Sequence, residues 1–149
     1  MKRYLVIGSP IQHSLSPKLH NYWFKQNNIN AIYEKKLIEG SGIQNIISEL
    51  KNNKLQGINV TVPFKKKIME FVDDLSDEAK KSQSVNTLYK NDERIIGHNT
   101  DISGFELSLR HIKYNVNQKR ILILGSGGVV SSIVLALKKM KPYKIIISN

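Results

Sequence analysis

Residues 57–65 read Gly57-Ile58-Asn59-Val60-Thr61-Val62-Pro63-Phe64-Lys65. Apolar and polar residues alternate from Ile58 to Val62, which is typical of a β-strand with one apolar and one polar face. The polar face carries short hydrogen-bonding side chains, and the proline ends the strand just before a lysine. In open α/β sheets, ligands bind beyond the carboxyl ends of the strands. The stretch therefore predicts an α/β fold with three site candidates, Asn59, Thr61 and Lys65. The alternative is an edge strand followed by a solvated lysine.

Composition limits the classes of protein to which the chain can belong. Its 149 residues are 40% hydrophobic and 23% charged, with room for one domain or slightly more. The absence of cysteine excludes disulfides, thiolate zinc sites and cysteine nucleophiles, and the four histidines show no metal-ligand spacing. There is no long apolar run and no signal-peptide pattern. We expect a cytoplasmic protein, monomeric or homodimeric, without a membrane segment or a metal.

The net charge of +11 raises the question of nucleic-acid binding. The surplus is mostly lysine in scattered short groups, whereas arginine, which reads phosphates and base edges better, is scarce. Basic patches with interleaved aromatic residues are also missing. We therefore expect no nucleic-acid partner and an attraction for small anionic substrates.

Strand-like and helix-like stretches alternate through the first two thirds of the chain. Strands are predicted over residues 3–8, 31–37 and 57–62, and helices over residues 16–26, 43–51, 66–72, 77–82 and 101–112. Residues 85–90 and 94–98, on either side of Asn91-Asp92-Glu93, predict an antiparallel hairpin. Tyr22 and Trp23 are predicted to lie in the core. The pattern indicates a mainly parallel sheet with one antiparallel hairpin.

A second unit follows the polar, turn-rich residues 113–119. A strand over 120–124, a glycine turn over 125–128, a helix over 129–140 and a strand over 143–148 are typical of the start of a doubly wound, Rossmann-type nucleotide-binding domain. A complete domain of this kind needs roughly a hundred further residues. We therefore expect the chain to be the amino-terminal part of a longer protein.

The glycine turn predicts a cofactor site. Gly125, Gly127 and Gly128 permit close approach of the backbone to a pyrophosphate at the helix amino terminus. An NAD-specific unit places Asp or Glu about 20 residues further on. No acidic residue occurs from Gly125 onward, which favours NADP over NAD. Val130 departs from the small residue usual at the third fingerprint position.

Further polar residues form candidate substrate contacts. Ser16 before Pro17 is typical of a helix N-cap, and together with Ser14 it could also hold a carboxylate. Asn86 is unusual within a predicted strand. Asp101 begins a predicted helix, where it could serve as a cap or first-turn carboxylate. Together with Lys65 it would also form a carboxylate–ammonium pair suited to proton transfer.

Taken together, these motifs resemble the shikimate dehydrogenase family. The matching blocks, in family order, are Ser14-x-Ser16-Pro17, Asn59-Val60-Thr61-Val62-Pro63-Phe64-Lys65, Val85-Asn86-Thr87, Asn99-Thr100-Asp101 and Gly125-x-Gly127-Gly128. The resemblance implies a substrate domain over residues 1–100, a connecting helix and linker over 101–117, and the start of an NADP-binding Rossmann domain over 118–149. It also implies NADPH-dependent reduction of 3-dehydroshikimate to shikimate in aromatic amino acid (chorismate) biosynthesis.

The resemblance also implies a role for each matching residue. Ser14 and Ser16 would hold the ring carboxylate, while Thr61, Asn86 and Asp101 would bind ring hydroxyls. Lys65, oriented by Asp101, would donate the proton. The residues implied to bind the cofactor are Gly125, Ser126, Gly127, Gly128, Val129 and Asn149. Gln83 and Ser84 depart from the Gly-Ala usual before Val-Asn-Thr.

Two alternatives remain open from the sequence. One is a quinate/shikimate dehydrogenase that uses NAD as well as NADP. The other is a non-catalytic ligand-binding module, against which the presence of both Lys65 and Asp101 argues, because a binder needs no proton donor. We expect the 149-residue chain by itself to be inactive.

Overall fold

The strand β1 (Lys2–Gly8) lies inside a six-stranded sheet, as its aliphatic residues require. It pairs in parallel with β2 (Ala31–Leu37) on one side and with β3 (Gly57–Val60) on the other. The computed structural model describes residues 1–39 and 41–148. Parallel neighbours require crossover connections, and the helices α1 (Ser16–Gln26) and α2 (Gly42–Lys51) supply them.

The second half of the sheet contains the predicted hairpin. Strand β5 (Thr87–Asn91) runs antiparallel to β3, and β6 (Arg94–His98) runs antiparallel to β5. A short strand β4 (Asp74–Leu75) pairs in parallel with β6, which gives the order β2-β1-β3-β5-β6-β4. The predicted fold class, a mainly parallel sheet with an antiparallel hairpin, is confirmed.

One face of the sheet is closed by α2. Its four apolar residues, Ile43, Ile46, Ile47 and Leu50, are all buried and have the i, i+3, i+4, i+7 spacing of a single helix face. They meet the inward-facing residues of the central strands, which include Leu5, Ile7, Ile58, Val60, Leu88 and Ile95. Each such side chain contributes about 1.5–3 kcal/mol when fully buried. This core fixes the strands whose ends carry the candidate site.

The opposite face is only partly covered by α1. No residue of this helix is fully buried, and the prediction that Tyr22 and Trp23 lie in the core was wrong, because they are 59% and 47% exposed. The helix lies against β2, and its contacts with the sheet include those of Phe24, whose ring centroid is 5.5 Å from that of Tyr4, and of His20, whose ring stacks on that of Tyr33. The helical pattern was correct, but it could not indicate how much of the helix the sheet covers.

Other boundaries differ slightly from those predicted. Strand β3 ends at Val60, although Thr61 still donates a hydrogen bond to the Ile7 carbonyl at 2.9 Å. The helix predicted over residues 66–72 is a 3₁₀-helix over Lys67–Phe71. Helix α3 (Asp77–Ser82) is followed by Gln83, which has a φ of 51°. Glycine adopts this left-handed conformation more readily than other residues do.

The remaining elements form the predicted strand–helix–strand unit. Helix α4 (Asp101–His111) leads to β7 (Arg120–Leu124), α5 (Val130–Lys139) and β8 (Lys144–Ser148), and the two strands pair in parallel. Helix α4 packs against α5. Leu122 and Leu124 on β7 are 58% and 80% exposed. In the described part of the chain, no helix combines the length and the apolar character needed to cross a membrane.

Two glycine-to-alanine substitutions should have opposite effects on stability. A Cβ at Gly8 would lie 2.6 Å from Cγ2 of Thr61 and 3.1 Å from the Val62 carbonyl oxygen, so Gly8→Ala should destabilise the fold by about 1–3 kcal/mol. A Cβ at Gly104, in α4, meets no atom within 4 Å, so Gly104→Ala should stabilise it by about 0.5–1 kcal/mol. Urea unfolding measures both values. Equal effects of the two substitutions would contradict the close approach at Gly8.

Candidate active site

The topology brings the candidate residues to one edge of the sheet. The carboxyl ends of β1 and β3 are adjacent because these strands are parallel. The two antiparallel reversals then place the start of β5 and the end of β6 at the same edge. The segments at this edge contain all six predicted substrate-site residues: Ser14, Ser16, Thr61, Lys65, Asn86 and Asp101.

Lys65 and Asp101 form a close ion pair at this edge. Nζ of Lys65 lies 2.7 Å from Oδ2 of Asp101, and the two side chains are only 14% and 22% exposed. The Val85 amide donates to the Lys65 carbonyl at 2.8 Å, which ties the lysine segment to the residue before Asn86. A charge-assisted bond of this length, largely shielded from water, holds the ammonium group in one place.

Asn86 orients the carboxylate of this pair. Its Nδ2 donates to Oδ1 of Asp101 at 2.8 Å and to Oγ1 of Thr100 at 2.8 Å. Its Oδ1 accepts from the Thr100 amide at 2.9 Å and from the Thr87 hydroxyl at 2.9 Å. The side-chain amide is thus saturated by protein groups, so a substrate hydroxyl at Asn86 would share one of these bonds.

Asn99 is a site residue that sequence reasoning missed. It is fully buried, and its Oδ1 accepts from the amides of Asp101 at 2.9 Å and Ile102 at 3.3 Å, which caps α4. The Asp101 carboxylate is therefore not needed as a cap and remains available to Lys65. An asparagine two residues before an amphipathic helix was the available signal.

Asn99 also joins the site to the glycine-turn unit. Its Nδ2 donates to the Ser84 carbonyl at 2.8 Å and to Oγ of Ser132, on α5, at 2.9 Å. Oγ of Ser84 donates to the Gly128 carbonyl at 3.3 Å. Thus Ser84, where the sequence departs from the family pattern, contributes a second contact between the two units.

The two serines occupy the loop that follows β1. Ser16 is the first residue of α1, and Oγ of Ser14 accepts from the Ser16 amide at 3.3 Å, so Ser14 rather than Ser16 satisfies a helix-end donor. Both side chains are half-buried, as is that of Thr61. No hydrogen bond within the described ranges joins these three residues to Lys65. They share its edge of the sheet.

A cleft of about 700 Å³ lies beside Lys65 and the glycine turn. Its lining includes Lys65, Gln83 and Ser84 from the first unit and Ser126, Gly127, Gly128 and Val130 from the second. Gly125 has a φ of 97°, and no atom lies within 4 Å of a Cβ built at Gly127. The turn therefore leaves room for a group against its backbone at the start of α5. Val129 immediately precedes this helix, and Asn149 lies outside the described residues.

Tyr33 is a buried residue of β2. Its hydroxyl donates to Oδ1 of Asn59 at 2.6 Å, and burial raises the pKa of this hydroxyl well above its ordinary value. The ring of His20 stacks on that of Tyr33, with centroids 4.2 Å apart and planes within 4°. Burial among aromatic rings lowers the pKa of His20.

Comparison with known proteins shows the family of this chain. A family model described as the shikimate dehydrogenase substrate binding domain matches residues 6–88. The chain belongs to the shikimate dehydrogenase family. The resemblance found in the sequence motifs is therefore confirmed.

Individual members of the shikimate dehydrogenase family match nearly the whole chain. The shikimate dehydrogenase (NADP(+)) of Pelagibacter ubique is 60% identical over 148 residues, which cover 99% of this chain and 56% of that protein. The corresponding protein of Clostridium beijerinckii is 38% identical over 92% of this chain and 51% of its own length. The chain thus spans about half the length of the curated relatives it matches.

Solved shikimate dehydrogenase structures have the same fold. Shikimate dehydrogenase 1 from Peptoclostridium difficile superposes with a TM-score of 0.93 at 31% identity, over 100% of this chain and 57% of that one. The Thermus thermophilus enzyme, in complex with NADP(H) and shikimate, gives a TM-score of 0.90 at 27% identity, over 100% and 57% of the two chains. The predicted start of a Rossmann-type unit after the substrate-domain fold agrees with these superpositions.

The stacked histidine predicts a pH dependence of stability. A pKa lowered in the folded state means that folding favours neutral His20, so its contribution is present above the ordinary value of 6.5 and is lost as pH falls below it. The carboxylates of Asp73, Asp74 and Glu78 have lowered pKa values, so their contributions are lost only near and below about pH 4.

Between pH 7.5 and 5.5, the free energy of unfolding should therefore fall less in His20→Phe than in the unmodified chain. Urea unfolding at the two pH values measures this difference. His111→Phe is the matched control, because His111 is exposed at the end of α4 and its substitution should leave the decrease unchanged. An identical decrease in His20→Phe and the unmodified chain would show that the stacked ring tolerates protonation.

Proposed function

We propose that this chain forms the substrate-binding and proton-donating part of an NADP-dependent shikimate dehydrogenase that reduces 3-dehydroshikimate to shikimate. One observation carries the proposal. The Lys65–Asp101 pair, at 2.7 Å, lies at the sheet edge, and Lys65 lines a cleft that the glycine turn also lines. A shielded ammonium group beside a dinucleotide-type turn is an arrangement suited to carbonyl reduction.

Proton transfer is assigned to Lys65. Reduction adds a hydride to the carbonyl carbon and a proton to the carbonyl oxygen, and NADPH supplies the hydride when bound. Lys65 Nζ donates the proton to the developing alkoxide and regains one from solvent. Asp101 accepts a hydrogen bond from Nζ, which orients the remaining N–H groups toward the substrate oxygen. Asn86 and Asn99 hold Asp101 through its carboxylate and its backbone amide.

Substrate binding is assigned to residues along the same edge. Ser14 and Ser16 would bind the ring carboxylate, because they lie at the amino terminus of α1, where backbone donors and the helix dipole favour an anion. Thr61, Asn86 and Asp101 would bind ring hydroxyls. The net charge of +11 would favour the approach of a carboxylate substrate.

The glycine turn fits the cofactor that this chemistry needs. The backbone from Gly125 to Val129 is open to a pyrophosphate, and the part of the second unit that the structure describes carries no carboxylate that would repel a 2′-phosphate. We assign pyrophosphate binding to Gly125, Ser126, Gly127, Gly128 and Val129, and Asn149, which lies outside the described residues, remains a predicted cofactor-binding residue. Residues 1–100 would then be the substrate domain and residues 118–149 the first part of the cofactor domain.

Substitution of Lys65 should reduce turnover much more than it weakens binding. The test uses a chimaeric enzyme in which this chain is followed by the part of the Pelagibacter ubique relative beyond the matched residues. Lys65→Met should lower kcat about 10²–10⁴-fold, because the oriented acid is lost, and should change KM for 3-dehydroshikimate only a few-fold. NADPH consumption at saturating and limiting substrate measures both constants.

The control is Lys67→Met, which removes the same charge from an exposed residue of the 3₁₀-helix and should leave kcat unchanged. An unchanged kcat in Lys65→Met would remove this lysine from the chemistry.

The 149-residue chain alone should bind shikimate, measured by NMR titration, but should not oxidise it. Turnover by the chain alone would contradict the proposal that this chain holds the substrate site but only the first part of the cofactor domain.

A further inference from the structure

A continuous chain of hydrogen bonds crosses the sheet and ends at the ion pair. The Tyr33 hydroxyl donates to Oδ1 of Asn59 at 2.6 Å, and Nδ2 of Asn59 donates to Oγ1 of Thr87 at 3.2 Å. The Thr87 hydroxyl donates to Oδ1 of Asn86 at 2.9 Å. Nδ2 of Asn86 then donates to Asp101 at 2.8 Å. The chain thus runs from β2, across β1, to Asn59 on β3, and from there through the start of β5 to Asp101.

The direction of every bond in this chain is determined by groups that cannot change role. Nδ2 of Asn59 faces the backbone carbonyl of Asn86 at 3.2 Å, so Oδ1 must face the tyrosine. Oδ1 of Asn86 accepts from the backbone amide of Thr100, so Nδ2 must face the carboxylate. Thr87 accepts from one asparagine and therefore donates its single proton to the other.

The tyrosine at the start of the chain is held firmly. Asn21, on α1, donates to the Tyr33 carbonyl at 2.8 Å and accepts from its amide at 2.9 Å. The Tyr33 ring is 3% exposed and stacks against His20. Burial raises the pKa of the hydroxyl above its ordinary value, so it remains a donor at neutral pH. The first bond therefore has a fixed origin and a fixed direction.

We infer that Tyr33, Asn59 and Thr87 are positioning residues that hold the Asn86 amide with its N–H group toward Asp101 and thereby set the geometry of the proton donor. The inference rests on the proposed function, in which Lys65 and Asp101 move the proton. In the part of the chain that the structure describes, none of the three residues makes a hydrogen bond to the ion pair. Thr87, which is oriented by Asn59 and through it by Tyr33, gives Oδ1 of Asn86 a second donor beside the Thr100 amide. This second donor further disfavours an amide flip that would place oxygen against oxygen.

The inference predicts effects on turnover that loss of a hydroxyl elsewhere would not cause. In the chimaeric enzyme, Tyr33→Phe and Thr87→Val should each lower kcat about 2–10-fold, with KM for 3-dehydroshikimate within two-fold of the unmodified value. The double variant should lose little more than the worse single variant, because both substitutions interrupt the same chain. Thr87→Ser, which keeps the hydroxyl and removes the methyl group, should retain the unmodified kcat.

The matched control is Tyr4→Phe. Tyr4 pairs with Tyr33 in the register of β1 and β2, and its hydroxyl makes no hydrogen bond to the residues that the structure describes. This substitution removes the same oxygen atom and should leave kcat unchanged. A loss of kcat in Tyr4→Phe equal to that in Tyr33→Phe, or an unchanged kcat in both Tyr33→Phe and Thr87→Val, would overturn the inference.

A second readout needs no activity and uses the 149-residue chain itself. NMR should show the side-chain NH₂ protons of Asn86 as two separate signals in slow exchange with water. Tyr33→Phe and Thr87→Val should shift and broaden them, whereas Tyr4→Phe should not. If the chimaeric enzyme fails to reduce 3-dehydroshikimate, the proposed function fails, and these signals still test the hydrogen-bond chain. Signals of Asn86 that no variant changes would overturn the inference.

Discussion

The ion pair between Lys65 and Asp101 is the interaction on which the rest of the site depends. Removing an ammonium and a carboxylate from water costs several kcal/mol per ion, and a pair is tolerated only where further hydrogen bonds satisfy both groups. Here Asn86 donates a hydrogen bond to one carboxylate oxygen of Asp101, and Lys65 donates to the other at 2.7 Å. Asn99 caps α4 and so relieves Asp101 of that role. The contacts of Asp101 with Lys65, Asn86 and Asn99 thus make a partly shielded charge pair possible.

The sheet topology explains why this pair can form at all. Lys65 follows β3 and Asp101 follows β6, and 36 residues separate them in sequence. Strand β5 runs antiparallel to β3 and β6 runs antiparallel to β5, so that β6 ends at the same edge as β3. The buried face formed by Ile58, Val60, Leu88 and Ile95 fixes these strands in register. The packing of the core on one face therefore sets the distance between two charges at the edge.

Sequence reasoning identified much of the fold and the central residues of the candidate site. Alternation in residues 57–62 and the position of Lys65 beyond the proline were enough to predict the strand and the site edge. Asp101 was identifiable because an acidic residue at a helix start is a local feature. The strand Asp74–Leu75 was missed because two residues are too few to show a period.

The missed features are those that depend on tertiary contacts. The bond from Tyr33 to Asn59 spans 26 residues between strands that are not neighbours in the sheet, and neither residue type indicates it. Exposure of Trp23 depends on how far α1 extends over the sheet, which an apolar helix face cannot reveal. Gln83 occupies a left-handed position that composition alone would assign to glycine.

The most direct test of the central claim is a double-mutant cycle on kcat in the chimaeric enzyme, with Lys65→Met, Asp101→Asn and both together. If the two residues act as one unit, the double variant should have nearly the same kcat as Lys65→Met, because Asp101 has no remaining ammonium group to orient. If the losses from the two single variants multiply in the double variant, the residues act independently. That result would contradict an account in which Asp101 works through Lys65.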